Sequence, residues 1–101
     1  MKVLIVNQDM HGLIGIVRCE GNQVKWAVDY LIETKWITHL TDIWLDNSEN
    51  QGDWVTVAEA YGEDWANVIR SWTIDQFNEI WEGCFSLSVQ EIYGVNNATI
   101  W

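Results

Sequence analysis

The chain has 101 residues, 49% of them apolar, with fifteen acidic against five basic side chains and a formal net charge of −10. Thirteen aromatic residues and many valines and isoleucines exclude a disordered acidic tail, which lacks both. The acid excess argues against direct binding to nucleic acid or to an anionic membrane surface, because like charges repel.

Lys2 to Asn7 is a short apolar run with β-branched residues and reads as a buried strand. Gln8 to Gly12 is a polar turn. Leu13 to Val17 reads as a second strand, antiparallel to the first, with Gly15 as a bulge or a point of close approach. Asn22 is a suitable helix N-cap. Val24, Ala27, Val28, Leu31 and Lys35 follow at helical spacing, which predicts an amphipathic helix over 23–35. Trp26 and Tyr30 are i,i+4 neighbours on its other face. Ile43-Trp44-Leu45 reads as a short strand, and 46–53 as a polar loop rich in turn formers. Trp54 to Val57 is either another strand or the entry to a helix.

From Thr56 the periodicity becomes helical. Trp65, Val68, Ile69 and Trp72 stand at i, i+3, i+4 and i+7, as a buried stripe requires, while Gly62 argues against one continuous helix over 57–72. Thr73 is a predicted N-cap with Gln76 at the capping-box position. Ile74, Phe77 and Trp81 then form the apolar face of a helix over 74–82, which Gly83 ends. Cys84 to Tyr93 alternates apolar and polar residues, the pattern of a half-buried strand. Gly94 to Trp101 is poorly patterned and is expected to be loose. The order β-β-α-β-(β)-α-α-β predicts an α+β fold: a small, mostly antiparallel sheet covered on one face by two or three helices. The length fits a single domain over 1–101.

No apolar run approaches the ~18 residues of a membrane span. The run after Lys2 is too short for a signal peptide and has no cleavage site. A cytoplasmic protein is therefore expected, in which the sequon Asn97-Ala98-Thr99 carries no meaning. Cys19 and Cys84 form no CxxC pair and read as reduced, buried thiols. His11 and His39 are the two neutral-pH acid–base candidates, and neither belongs to a recognisable constellation. No nucleophile elbow, phosphate-binding loop or HExxH spacing is present. No enzyme and no cofactor are expected. Asp42, Asp46, Glu49 and Asp53 carry oxygens that suit Ca²⁺, but their spacing matches no EF-hand. A solvated acidic loop is the plainer reading, and no metal is assigned.

Charge is distributed unevenly. Residues 1–35 hold four acidic and four basic side chains, so the net charge belongs to residues 36–101, where Arg70 is the single basic residue. The same stretch holds seven of the eight tryptophans. Asp75, Glu79 and Glu82 fall at i, i+4 and i+7 on one face of the predicted 74–82 helix, with neighbouring carboxylates roughly 5–6 Å apart. Glu59 and Glu63 form another i,i+4 pair if a helix runs through both. Like charges at this spacing weaken a helix by roughly a few tenths of a kcal/mol each. Plain solvation accounts for such a face, and so does an outside cation. Trp65, Trp72 and Trp81 lie on core faces. Trp26, Trp44, Trp54 and Trp101 are not placed by periodicity, and an exposed subset beside carboxylates would mark a binding face. The candidate partner-binding residues are Asp42, Asp46, Glu49, Asp53, Trp54, Glu59, Glu63, Asp75, Glu79 and Glu82.

The Asp42–Asp64 run without a basic residue and the Asp75, Glu79, Glu82 stripe resemble the small acidic anti-defence proteins of phages and mobile elements. Anti-CRISPR proteins and nucleic-acid-mimicking anti-restriction proteins belong to that group. Asn7 to Gly15, Tyr30-Leu31-Ile32-Glu33 and Trp36-Ile37 are also similar to short phage-type open reading frames. The resemblance lies in character rather than in a motif, and no functional residues carry over. It implies a non-enzymatic inhibitor that occupies a basic nucleic-acid channel or blocks assembly. The expected partner is a basic host or defence protein, foremost a CRISPR effector. Two other readings compete: a homodimer or larger homo-oligomer with exposed aromatics at its interface, and a small-molecule sponge stacking a nucleobase. Scarcity of Lys and Arg counts against the sponge.

Overall fold

A computed structural model of the chain describes residues 1–21, 23–45, 52–93 and 100–101. The fold is mixed α+β, with antiparallel strands. A three-stranded sheet has the order β2-β1-β5, formed by β1 (Lys2–Gln8), β2 (Gly12–Arg18) and β5 (Phe85–Glu91). A separate two-stranded ribbon pairs β3 (Asp42–Leu45) with β4 (Asp53–Thr56). The helices are α1 (Lys25–Glu33), α2 (Val57–Tyr61), α3 (Trp65–Arg70) and α4 (Ile74–Ile80), with a 3-10 turn at Gly62–Asp64 between α2 and α3. None is long and apolar enough to cross a membrane.

The register of the sheet follows from its apolar pattern. Leu4 pairs with Val17 and Val89, and Val6 with Gly15 and Leu87. Paired residues share a face, so Leu4, Val6, Val17 and Leu87 point together into the core. There they join Ala27, Val28 and Leu31 of α1 and Phe77 of α4. Ser86, Ser88 and Gln90 on the other face of β5 are exposed, as the alternation predicts, but Val89, expected to face inward, is exposed as well. Gly15 is the expected point of close approach, while the bulge falls on its neighbour Ile14. The register shifts where Val6↔Gly15 gives way to Asn7↔Leu13, leaving Ile14 as the extra residue of a bulge. The Tyr30 ring lies so close to Gly15 that an added Cβ would meet three of its atoms at under 3.0 Å. The Tyr30 hydroxyl donates to the Ile14 carbonyl.

Helix boundaries depart from expectation in instructive ways. Asn22 lies outside the described residues. α1 begins with Val24 at the N-cap position and no side-chain cap. The helix forms because its apolar face is buried, not because its end is capped. Its other end closes in a Schellman motif: Lys35 adopts φ 67, the Trp36 amide donates to the Leu31 carbonyl and the Lys35 amide to the Ile32 carbonyl. The helical stretch after Thr56 breaks at Gly62, as that glycine suggested, into two short helices. α2 opens on a capping box between Thr56 and Glu59 that periodicity did not reveal. Thr73 and Gln76 form the predicted capping box of α4. The tail is not loose at its far end. The Trp101 amide donates to Ile16 and its carbonyl accepts from Arg18, so this residue lines the outer edge of β2. Its ring meets Tyr30 edge-on at 5.5 Å. Residues 94–99, with the sequon, lie outside the described residues.

Candidate partner-binding surface

An aromatic cluster holds the acidic half together. Trp81 is 1% exposed and touches Phe77, Trp72 and Phe85 at ring distances of 4.8, 5.7 and 5.7 Å. Its indole Nε1 donates to the Asp42 carbonyl at 3.1 Å, tying α4 to the first residue of the β3–β4 ribbon. Asn78 of α4 ties the same helix to the sheet. Its Nδ2 donates to the Leu87 carbonyl, and its Oδ1 accepts from the Leu87 amide at 2.7 Å. One helix is thus anchored to both β systems.

This arrangement aims the ribbon outward. Ile43 is fully buried, so its neighbour Trp44 points away from the core by strand alternation. Trp54 is the register partner of Trp44 and points the same way. The two rings meet edge-to-face at 5.4 Å and are 40% and 57% exposed. Trp44 lies against Gly52, whose φ of 119 few other residues adopt and where a Cβ would run into the indole.

The tryptophan pair and the end of α4 border one cleft of about 360 Å³, lined by Trp44, Leu45, Trp54, Glu79, Ile80 and Glu82. An adjoining cleft of about 390 Å³ is lined by Trp54 together with Asp42, Thr41, Gln8, Cys84 and the core rings Trp81 and Phe85. Trp54 borders both. The helix ends at Ile80, so Glu82 stands in the following turn rather than on a continuous helical stripe. The cleft nevertheless unites it with Glu79. Asp75 lies exposed in the first turn of α4 and does not line the cleft. Asp53 pairs with Leu45 at the far end of the ribbon.

The other expected site residues separate from this group. Glu59 and Glu63 do not share a helix, because α2 stops at Tyr61. The Glu59 carboxylate serves the capping box, accepting from the Thr56 hydroxyl at 3.0 Å. Glu63 borders a different, open depression of about 570 Å³ with His39, Ala58, Gly62 and Trp65. Asp46 and Glu49 lie outside the described residues. Trp44 is the residue that sequence reasoning left out of the site. Its signal was the alternation Ile43-in, Trp44-out, but the hairpin register was needed to place it opposite Trp54.

Among the described residues the ion pairs are Arg70 with Asp29, at 2.7 Å, and the Met1 amine with Glu91, at 2.9 Å. Arg70 also donates to Asn67. Lys25 sits over the Trp26 ring at 4.5 Å. None of these cations reaches Asp42, Asp53, Asp75, Glu79 or Glu82.

The remaining reactive groups are dispersed. His11 Nδ1 contacts Gln8 Oε1 at 2.8 Å, and its ring edges onto Trp36. Cys19 is buried, and desolvation pushes its thiol above the ordinary value against the opposing pull of Lys2. Burial likewise raises the Tyr61 phenol. Cys84 is half-buried and free. Among the described residues no three His, Cys, Asp or Glu side chains cluster as a metal site would require. No family model, curated protein or solved structure matches this chain, so the surface is read from its own chemistry.

Proposed function

We propose that the chain is a non-enzymatic inhibitor that acts inside the bacterial cytoplasm. Its acidic, tryptophan-bearing face docks onto a basic nucleic-acid-handling protein, with a CRISPR effector as the target class. The observation that carries this reading is the exposed Trp44–Trp54 pair beside Glu79 and Glu82, on a face that no ion pair among the described residues neutralises. Neighbouring carboxylates compete with phosphates for the same lysines and arginines. Paired indoles add the desolvated contact area that interface hot spots share.

The test is a triple reversal, Asp75→Lys, Glu79→Lys and Glu82→Lys, set against Asp9→Lys with Glu20→Lys in the charge-balanced third. Association with a CRISPR effector, measured by surface plasmon resonance, slows on the order of tenfold or more for the triple variant and little for the control. Parent affinity falls steeply with salt, since exposed charges are screened over about 8–10 Å at physiological ionic strength. Equal binding by triple variant and parent would remove this face from the mechanism. The same two rings carry the competing reading of a homo-oligomer. That reading requires concentration-dependent self-association insensitive to salt.

A further inference from the structure

We infer that the cleft between the β3–β4 ribbon and the end of α4 receives an arginine side chain of the basic partner, in preference to lysine. This deepens, and rests on, the docking role proposed above. The cleft offers three kinds of wall: the indoles of Trp44 and Trp54, the apolar side chains of Leu45 and Ile80, and the carboxylates of Glu79 and Glu82. A guanidinium matches all three at once. It is planar and weakly hydrated, so its face stacks on an indole while its in-plane N–H donors reach a carboxylate. An ammonium is a compact, strongly hydrated point charge. It satisfies the carboxylates but gains less from the rings.

A second observation points to a cation in the same place. Glu79 and Glu82 stand at the carbonyl end of α4, where the backbone already carries partial negative charge and favours cations. The last turn of α4 contains no basic residue to offset this. The one arginine of the acidic stretch, Arg70, is engaged by Asp29 and Asn67 on the α1 side of the molecule. The edge-to-face geometry of the pair sets the two ring planes at 71° to each other. That forms a corner rather than a flat shelf, which suits one planar group held on two sides.

The experiment uses the full chain with hexa-arginine and hexa-lysine peptides as probes. Affinity is measured by calorimetry at about 0.15 M salt, and the indole N–H resonances are followed by NMR. Hexa-arginine should bind roughly tenfold more tightly than hexa-lysine, a difference within the range of a desolvated cation–π contact. The Trp54 indole resonance should shift with the arginine peptide, and the arginine preference should vanish in Trp54→Ala, hexa-arginine losing about tenfold and hexa-lysine clearly less. Trp54 is more than half exposed, so this variant keeps its fold, which circular dichroism checks. Glu79→Gln with Glu82→Gln should weaken both peptides. Equal affinity for the two peptides, or a preference that survives Trp54→Ala, overturns the arginine assignment and leaves the electrostatic docking role standing. Failure of both peptides to bind even at low salt overturns both.

Discussion

The two β systems of this molecule treat charge in opposite ways. Around the three-stranded sheet and α1, three ionic groups find partners within the chain: Met1 in Glu91, Asp29 in Arg70, and Lys25 in the Trp26 ring. Around the β3–β4 ribbon and α4, carboxylates gather beside exposed indoles with no ion pair among the described residues. Arg70 sharpens the contrast. It is the only basic residue after position 35, yet its guanidinium reaches back to α1 rather than to the acids that surround it in sequence. Both regions are built on the same kind of core, so the difference does not arise from folding requirements. Under the proposed docking role, it lies in which surface groups are left for a partner.

Trp81 is where the comparison breaks most severely, because this side chain joins the two regions. Trp81→Ala should cost about 3–5 kcal/mol, the usual toll of deleting a buried aromatic ring. The ribbon should also loosen through loss of the bond to Asp42. Urea denaturation measures the first effect and hydrogen exchange at β3 and β4 the second. A loss below about 1 kcal/mol would mean the ribbon is held by other contacts.

Gly15→Ala acts on the sheet region alone. The added methyl collides with Tyr30, and overpacking of this kind costs about 1–3 kcal/mol. The hydroxyl bond to Ile14 and the Tyr30–Trp101 contact should weaken with it. Peptide binding by the ribbon cleft should be unchanged, and a change in it would show that the two regions are not separable.

The smallest effect separates the two ends of α4. Asp75 lies in its first turn, where a carboxylate is favoured, whereas Glu79 and Glu82 lie at its end, where one is not. Asp75→Lys should lower stability by about 0.3–1 kcal/mol, and Glu79→Lys with Glu82→Lys should raise it by a similar amount. Urea midpoints of the two variants should move in opposite directions. Movement in the same direction would place net charge, rather than helix position, in control.

The acidic stripe illustrates how far sequence periodicity reached. Spacing put Asp75, Glu79 and Glu82 on one helical face. The helix stops at Ile80, and the cleft keeps Glu79 and Glu82 but not Asp75. The Glu59–Glu63 pair failed because Glu59 is drawn into a cap and α2 ends before Glu63. Periodicity assumes a continuing helix, and capping chemistry decides where one ends.

What the chain determined by itself is local. The alternation of β5, the stripe from Trp65 to Trp72, the Thr73–Gln76 capping box and the charge asymmetry each involve residues within a few positions, or simple sums over a segment. They survive in the structure because near neighbours constrain each other directly. What only the tertiary structure decided involves partners distant in sequence: Tyr30 over Gly15, Trp101 on the edge of β2, Arg70 on Asp29, Trp44 against Trp54, and the α4 carboxylates beside that pair. A hydrophobic pattern states which face of an element turns inward. It carries no information on which element it will meet, because register and packing are fixed only when the elements close on a common core.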